Sequence, residues 1–180
     1  MSNPMAVPRR VVIPTSEQIK KIPILLKKHF GEQFADFWKF GLQTGFRTEE
    51  ILNLRFAQFS YEQLDRNPEN RLFTCEIESR RTRSKVRKQV LSPSAEKIIR
   101  NIENKHPNSK FVFQSYRSRG VSNKRPQPLS RQAISHAFKE VGEILGIKLT
   151  PVTMRQLALN RVCADVKPIQ YWRALDDSTR

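Results

Sequence analysis

The chain has 180 residues, room for one sizeable domain, and its 33 Lys and Arg against 17 Asp and Glu leave a net charge of +16. That excess points to a polyanionic partner, foremost nucleic acid. With 38% hydrophobic residues, 11 Phe and 2 Trp there is material for a core, and the uncharged apolar runs are too short to cross a membrane, which excludes a disordered chain and a transmembrane one.

Residues 1–14 hold three prolines and two arginines without helical period and read as an extended arm, leaving 15–180 as a single domain. That opening segment carries no signal-peptide core. Thr15 or Ser16 is placed to cap a helix running to about Lys28, with Ile19, Ile22, Leu25 and Leu26 on one face and Pro23 marking a kink or a late start. A second helix, Glu32 to about Thr44, gathers Phe34, Phe37, Trp38 and Leu42, and Gly45 suits its C-cap. Thr48 opens a short third helix through Leu54, the carboxylates of Glu49 and Glu50 complementing the positive helix N-terminus.

Beyond Phe56 the pattern changes. Two strands are expected, Leu72 to Ile77 and Lys85 to Leu91, joined by a basic turn. Ser94 can cap a helix bearing Ile98, Ile99 and Ile102, and Phe111-Val112-Phe113 reads as a short buried strand. Tyr116 to Pro128 is a polar, basic loop. Ser130 caps a helix with Ile134, Phe138, Val141 and Leu145 at helical spacing, ended by Gly146. Thr150-Pro151 begins another to about Ala164, and Pro168 a last one.

Six of the nine residues from Arg80 to Lys88 are basic: Arg80, Arg81, Arg83, Lys85, Arg87 and Lys88. The bias recurs in Arg117, Arg119, Lys124, Arg125 and Arg131, so two basic loops are placed to meet phosphates. Arg47 lies in a tight connection between helices, where a planar guanidinium can clamp a phosphate through two hydrogen bonds. Cys75 and Cys163 read as reduced core thiols of a cytosolic protein. His29, His106 and His136 read as surface or boundary residues, and no Cys or His pair has ligand spacing, so neither metal nor cofactor is expected.

The run from Gly41 to Arg55 resembles the first conserved box of the tyrosine recombinases, the phage-integrase family, whose pattern is roughly T-G-x-R-x-x-E-[IL]-x-x-L. Thr44, Gly45, Arg47, Glu50, Ile51 and Leu54 fit it. The downstream order agrees: a basic hairpin ending in Leu91-Ser92-Pro93, then Phe111-Val112-Phe113, then Pro128-Leu129-Ser130 opening a helix. Thr150-Pro151-Val152-Thr153-Met154-Arg155 resembles the second box, T-P-H-x-L-R-H. The resemblance spans roughly residues 16–175. It implies a mainly α fold with a small antiparallel β-sheet, the DNA breaking-rejoining fold of the recombinase catalytic domain.

In that family two arginines, one from each box, hold the scissile DNA phosphate, a hairpin lysine and histidines assist proton transfer, and a C-terminal tyrosine forms a 3′-phosphotyrosyl intermediate. Carried over residue by residue, Arg47 and Arg155 match the arginines. The hairpin lysine falls on an arginine of Arg81-Thr82-Arg83-Ser84-Lys85, with Lys85 the alternative. The histidine positions carry Val152, Gln156 and Leu175, and the tyrosine segment is missing before Arg180. Tyr171 is the alternative nucleophile, or else a helix-face aromatic beside Trp172.

The expected function is therefore binding of double-stranded DNA by a recombinase-like domain that has lost catalysis, as a transcriptional regulator or an accessory factor of a mobile element. Arg47, Arg155 and the basic hairpin would hold phosphates, while Arg131, Gln132 and Lys139 would read base edges. The alternative is an active or partner-assisted site-specific recombinase or integrase. An RNA-binding or ribosome-associated protein fits the charge but leaves the co-linear boxes unexplained. No membrane partner is expected. A protein partner or a homo-oligomer on DNA remains open, with a monomer favoured in solution and the bacterial cytoplasm or nucleoid as location.

Overall fold

The computed structural model describes residues 13–64, 66, 70–78, 86–116 and 125–165, with side chains to residue 160. Six helices and one three-stranded sheet make up its regular structure: α1 Ser16–Phe30, α2 Glu32–Thr44, α3 Thr48–Asn53, a 3₁₀ turn Phe56–Gln58, β1 Phe59–Gln63, β2 Arg71–Glu78, β3 Val86–Val90, α4 Pro93–Lys105, α5 Arg131–Ile144 and α6 Pro151–Asp165. The strands are antiparallel in the order β1-β2-β3. This is the mainly helical architecture with a small antiparallel sheet that the sequence led us to expect.

The helix α2 is the centre of the molecule. Phe34, Ala35, Phe37, Trp38, Phe40 and Gly41 are buried on it, and it packs against α1, α4 and α6. Its aromatic rings meet edge-on rather than face to face: Phe37 with Phe113 at 5.2 Å, Trp38 with Phe138 at 5.5 Å, Phe40 with Phe46 at 5.8 Å. Such pairs contribute about 0.5–1.5 kcal/mol beyond the area they bury. A Cβ on Gly41 would stand 2.3 Å from Sδ of the buried Met154, so a side chain there would displace the end of Met154. Close approach of α2 and α6 is what brings the first box beside the second.

Several boundaries differ from the sequence reading. Helix α1 runs uninterrupted through Pro23, and Thr15 caps it in a reciprocal box with Gln18. The strand β1 was not expected: its alternation is confined to Phe59 and Tyr61, only Phe59 is half buried, and its order comes from pairing with β2. Helix α4 is capped by Ser92, whose Oγ accepts from the Ala95 N–H at 3.2 Å, not by Ser94. Pro93 fits at its first position because the missing N–H would have had no partner there. Phe111-Val112-Phe113 is buried but is no strand. Phe111 makes one isolated bridge to Arg55, and the chain turns at once because the Gln114 side chain accepts from the Lys110 and Phe111 N–H groups. The arm at 1–14, apart from its last two residues, and the helix expected from Pro168 lie outside the described residues.

Asp36 is the buried charge of α2. Burial pushes its carboxyl pKa up, only partly offset by Lys39 at 3.5 Å. An acid whose folded-state pKa exceeds its unfolded value destabilises the fold progressively as pH rises through that interval. Asp36→Asn should therefore raise the melting temperature at neutral pH and change it little well below the ordinary carboxylate range. Calorimetry at the two pH values checks both halves of that statement.

The junction between α5 and α6 is equally tight. A Cβ on Gly142 would lie 2.6 Å from the Ile147 carbonyl oxygen and 2.9 Å from the Leu149 nitrogen, both backbone atoms. Gly142→Ala should cost about 1–3 kcal/mol by overpacking, read from denaturant unfolding. A neutral substitution would mean that the turn into α6 is not held by this contact.

Candidate functional site

Gly45 ends α2 in the left-handed conformation (φ 64°, ψ 17°), a backbone state that side-chain-bearing residues adopt only with strain. The Thr44 hydroxyl fixes the same corner, donating to the Phe40 carbonyl at 3.0 Å and accepting from the Phe46 N–H at 3.4 Å. The next exposed residue is Arg47, the N-cap of α3, while Phe46 between them is buried. Glu50, one turn into α3, reaches back and accepts from the Arg47 backbone N–H at 2.7 Å, and its other oxygen stands 3.7 Å from an Arg47 Nη. The corner therefore holds Arg47 by its own backbone.

The opposite wall is the start of α6. Thr150 and Thr153 cap it mutually, each side-chain oxygen accepting from the other's backbone N–H at 3.2–3.3 Å, and Thr153 and Met154 are buried. That places Arg155 so that its Nε donates to the Gly45 carbonyl at 3.0 Å. The left-handed glycine and the second-box arginine are thus one contact.

Arg47 and Arg155 line a single open cleft of about 670 Å³. Arg55, Arg131, Val152, Asn53, Gln58, Glu49, Glu50 and Glu78 line it too. Four guanidinium groups face three carboxylates in this space. Glu49 pairs with Arg131 at 3.3 Å, and Glu50 with Arg47 and Arg87. The Arg131–Glu49 pair is exposed on both sides (68% and 58%) and contributes little to stability. It can open at small cost when an anion arrives.

Of the other expected site residues, Arg87 and Lys88 sit on β3. Arg87 pairs with Glu50 at 3.0 Å and Lys88 with Glu62 at 3.1 Å. Gln132 is exposed beside Arg131 at the start of α5, whereas Lys139, two turns further on, pairs with Glu143 at 3.7 Å and does not line the cleft. Arg125 is exposed. Arg80, Arg81, Arg83, Lys85, Arg117, Arg119, Lys124, Tyr171 and Leu175 lie outside the described residues. Val152 (62% exposed) borders the cleft and Gln156, one turn on along α6, is exposed; neither side chain ionises.

Tyr61 and Tyr116 are engaged elsewhere. Tyr61 lies between the Arg71 and Arg100 guanidinium groups, its hydroxyl on Glu96, and Tyr116 stacks on His106. Cys75 is fully buried, and burial pushes its thiol pKa up to about 12, so it is an inert core group. Among the described residues no cluster of His, Cys, Asp and Glu is arranged to hold a metal, and no helix is long and apolar enough to cross a membrane. Sequence reasoning missed Arg55, Asn53 and Gln58 as cleft residues. They carry no signal of their own: Asn53 lines the cleft from the end of α3, and Arg55 and Gln58 from the segment after it, where the Leu54 carbonyl accepts from the Val112 N–H.

A domain with these helices, this sheet and this cleft has the fold of the tyrosine-recombinase catalytic domain. It superposes on a lambda integrase dimer bound to a COC′ core site with a TM-score of 0.65 at 13% identity, covering 89% of this chain. For the Tn1549 transposon integrase in complex with transposon right-end DNA the TM-score is 0.63 at 16% identity and 91% coverage, and for XerA recombinase 0.62 at 15% and 94%. The chain spans 55–56% of the length of these three proteins. No curated protein matches it in sequence. The profile of the phage integrase family matches residues 15–173, and the chain belongs to that family.

Proposed function

We propose that this chain binds double-stranded DNA through the cleft between α3 and α6 and acts in site-specific recombination, Arg47 and Arg155 taking one backbone phosphate between them. The observation that carries this reading is the convergence of the two box arginines on one open cleft, with Arg55 and Arg131 on its walls. Two guanidinium groups on one phosphate form charge-assisted, geometrically directed hydrogen bonds. Guanidinium groups lining one cleft are stabilised by an anion bound among them. The net charge of +16 supplies the sequence-independent attraction to the DNA backbone. Recombination is favoured over a regulatory role by the company the fold keeps, since the similar structures are integrases and recombinases, several of them in complex with DNA. A homo-oligomer assembled on DNA, in the bacterial cytoplasm or nucleoid, fits the same reading.

A second reading, binding without strand cleavage, rests on Val152 and Gln156. Neither side chain can give or take a proton, so general acid–base help at those positions is lost, an effect of roughly 10²–10⁴ in rate for each such group. Two experiments separate the readings. Duplex titration at a series of salt concentrations should show affinity falling linearly on a log–log plot, with a slope of about −0.9 per phosphate neutralised; binding insensitive to salt would remove the phosphate reading altogether. Nicked suicide duplexes carrying a site selected by the protein then report cleavage. A denaturation-resistant protein–DNA adduct supports recombination, and DNA bound without adduct assigns the second reading.

A further inference from the structure

The Glu50 side chain is only 8% exposed, yet it is a carboxylate at the lip of a cleft. A charge so far removed from water needs compensation. Two hydrogen bonds supply it, from the Arg47 backbone N–H at 2.7 Å and an Arg87 Nη at 3.0 Å, with an Arg47 Nη at ion-pair distance, 3.7 Å. Of the two guanidinium groups, the one from the distant strand β3 makes the hydrogen bond and the one from the cleft is held only loosely. Arg87 is itself located by a second contact, its guanidinium carbon lying 5.6 Å from the ring centroid of Phe46, which is 1% exposed and immediately precedes Arg47.

We propose that Arg87 is a positioning residue for Arg47 and does not contact DNA phosphate itself, as its place in the basic hairpin suggested. By neutralising Glu50, it leaves the Arg47 guanidinium free to turn into the cleft. Without Arg87, the mostly buried carboxylate has Arg47 as its nearest remaining cation and draws it back out of the cleft. The strand β3 and the phosphate grip then behave as one unit. This inference rests on the phosphate-binding reading of the cleft.

A double-mutant cycle tests it. In the otherwise intact protein, Arg87→Ala should weaken duplex binding about tenfold, an interaction of the size found between residues sharing one network. In an Arg47→Ala background the same change should have almost no effect, and Arg87→Lys, which keeps a cation beside Glu50, should restore most of the loss. A direct phosphate contact predicts instead that the Arg87→Ala loss persists undiminished in the Arg47→Ala background, which would overturn the proposal. A readout in the DNA-free protein keeps this inference separate from the DNA reading: the ¹⁵N-labelled Arg47 Nε–H resonance should shift on Arg87→Ala and return toward its original position in Arg87→Lys. An unchanged Arg47 resonance would overturn the positioning role even if DNA binding fell. Conversely, a shifted resonance in a protein that binds no DNA would sustain the Arg87–Glu50–Arg47 coupling while refuting the function assigned to the cleft.

Discussion

Arg155→Ala is expected to lower the affinity for duplex DNA by roughly 10- to 100-fold, the range that 1.5–3 kcal/mol of charge-assisted hydrogen bonding represents. The side chain has two tasks. Its Nε holds the Gly45 carbonyl at 3.0 Å, and its guanidinium lines the cleft with that of Arg47. Arg47→Ala should cost a similar factor without disturbing Gly45. Because both arginines are assigned to one phosphate, the double variant should lose about 0.9 from the salt slope, as for one phosphate contact, and not twice that. Additive affinities with two units of slope lost would place the arginines on separate phosphates. Arg155→Lys is expected to rescue poorly, since a point charge cannot both hold the Gly45 carbonyl and present a planar fork.

The second large effect concerns the core that sets the cleft. Trp38→Ala should destabilise the domain by about 3–5 kcal/mol, the usual cost of deleting a fully buried aromatic ring, and so consume a large part of a typical domain's stability. Trp38 is 0% exposed and packs edge-on against Phe138 of α5, tying the helix that ends at Gly45 to the helix that begins at Arg131. Among the described residues its indole N–H finds no acceptor. A buried donor without a partner costs about 1–3 kcal/mol, so Trp38→Phe gives up volume but also removes that cost. The phenylalanine variant should fall far short of the alanine loss in denaturant unfolding. A phenylalanine loss as large as the alanine loss would overturn that expectation.

Most of what the sequence by itself determined is local. The capping chemistry of Thr15, Ser130 and Thr150, the glycine ending α2 and the spacing of Ile134, Phe138 and Val141 each act over one or two helical turns, and the helices stand where those signals place them. The pairing of Arg47 with Arg155 came from the resemblance of the two boxes to the recombinase pattern, because the local signals around each arginine do not single it out.

Tertiary structure decided what depends on partners remote in sequence. The edge strand β1 has an alternation of only two rings, Phe59 and Tyr61, and exists because β2 offers it a ladder. Phe111-Val112-Phe113 carries strand-forming residues, yet the Gln114 side chain takes up two backbone N–H groups and closes a turn instead. Asn53 joins the cleft from the end of α3, and Arg55 and Gln58 from the chain that follows it. The role of Arg87 is the sharpest case. In sequence it is one cation among six in a basic hairpin, whereas in the fold it faces a carboxylate 37 positions away that is mostly removed from water. Charge counts determine that a chain attracts a polyanion; which cations remain for it is settled by where the carboxylates are buried, and that depends on packing.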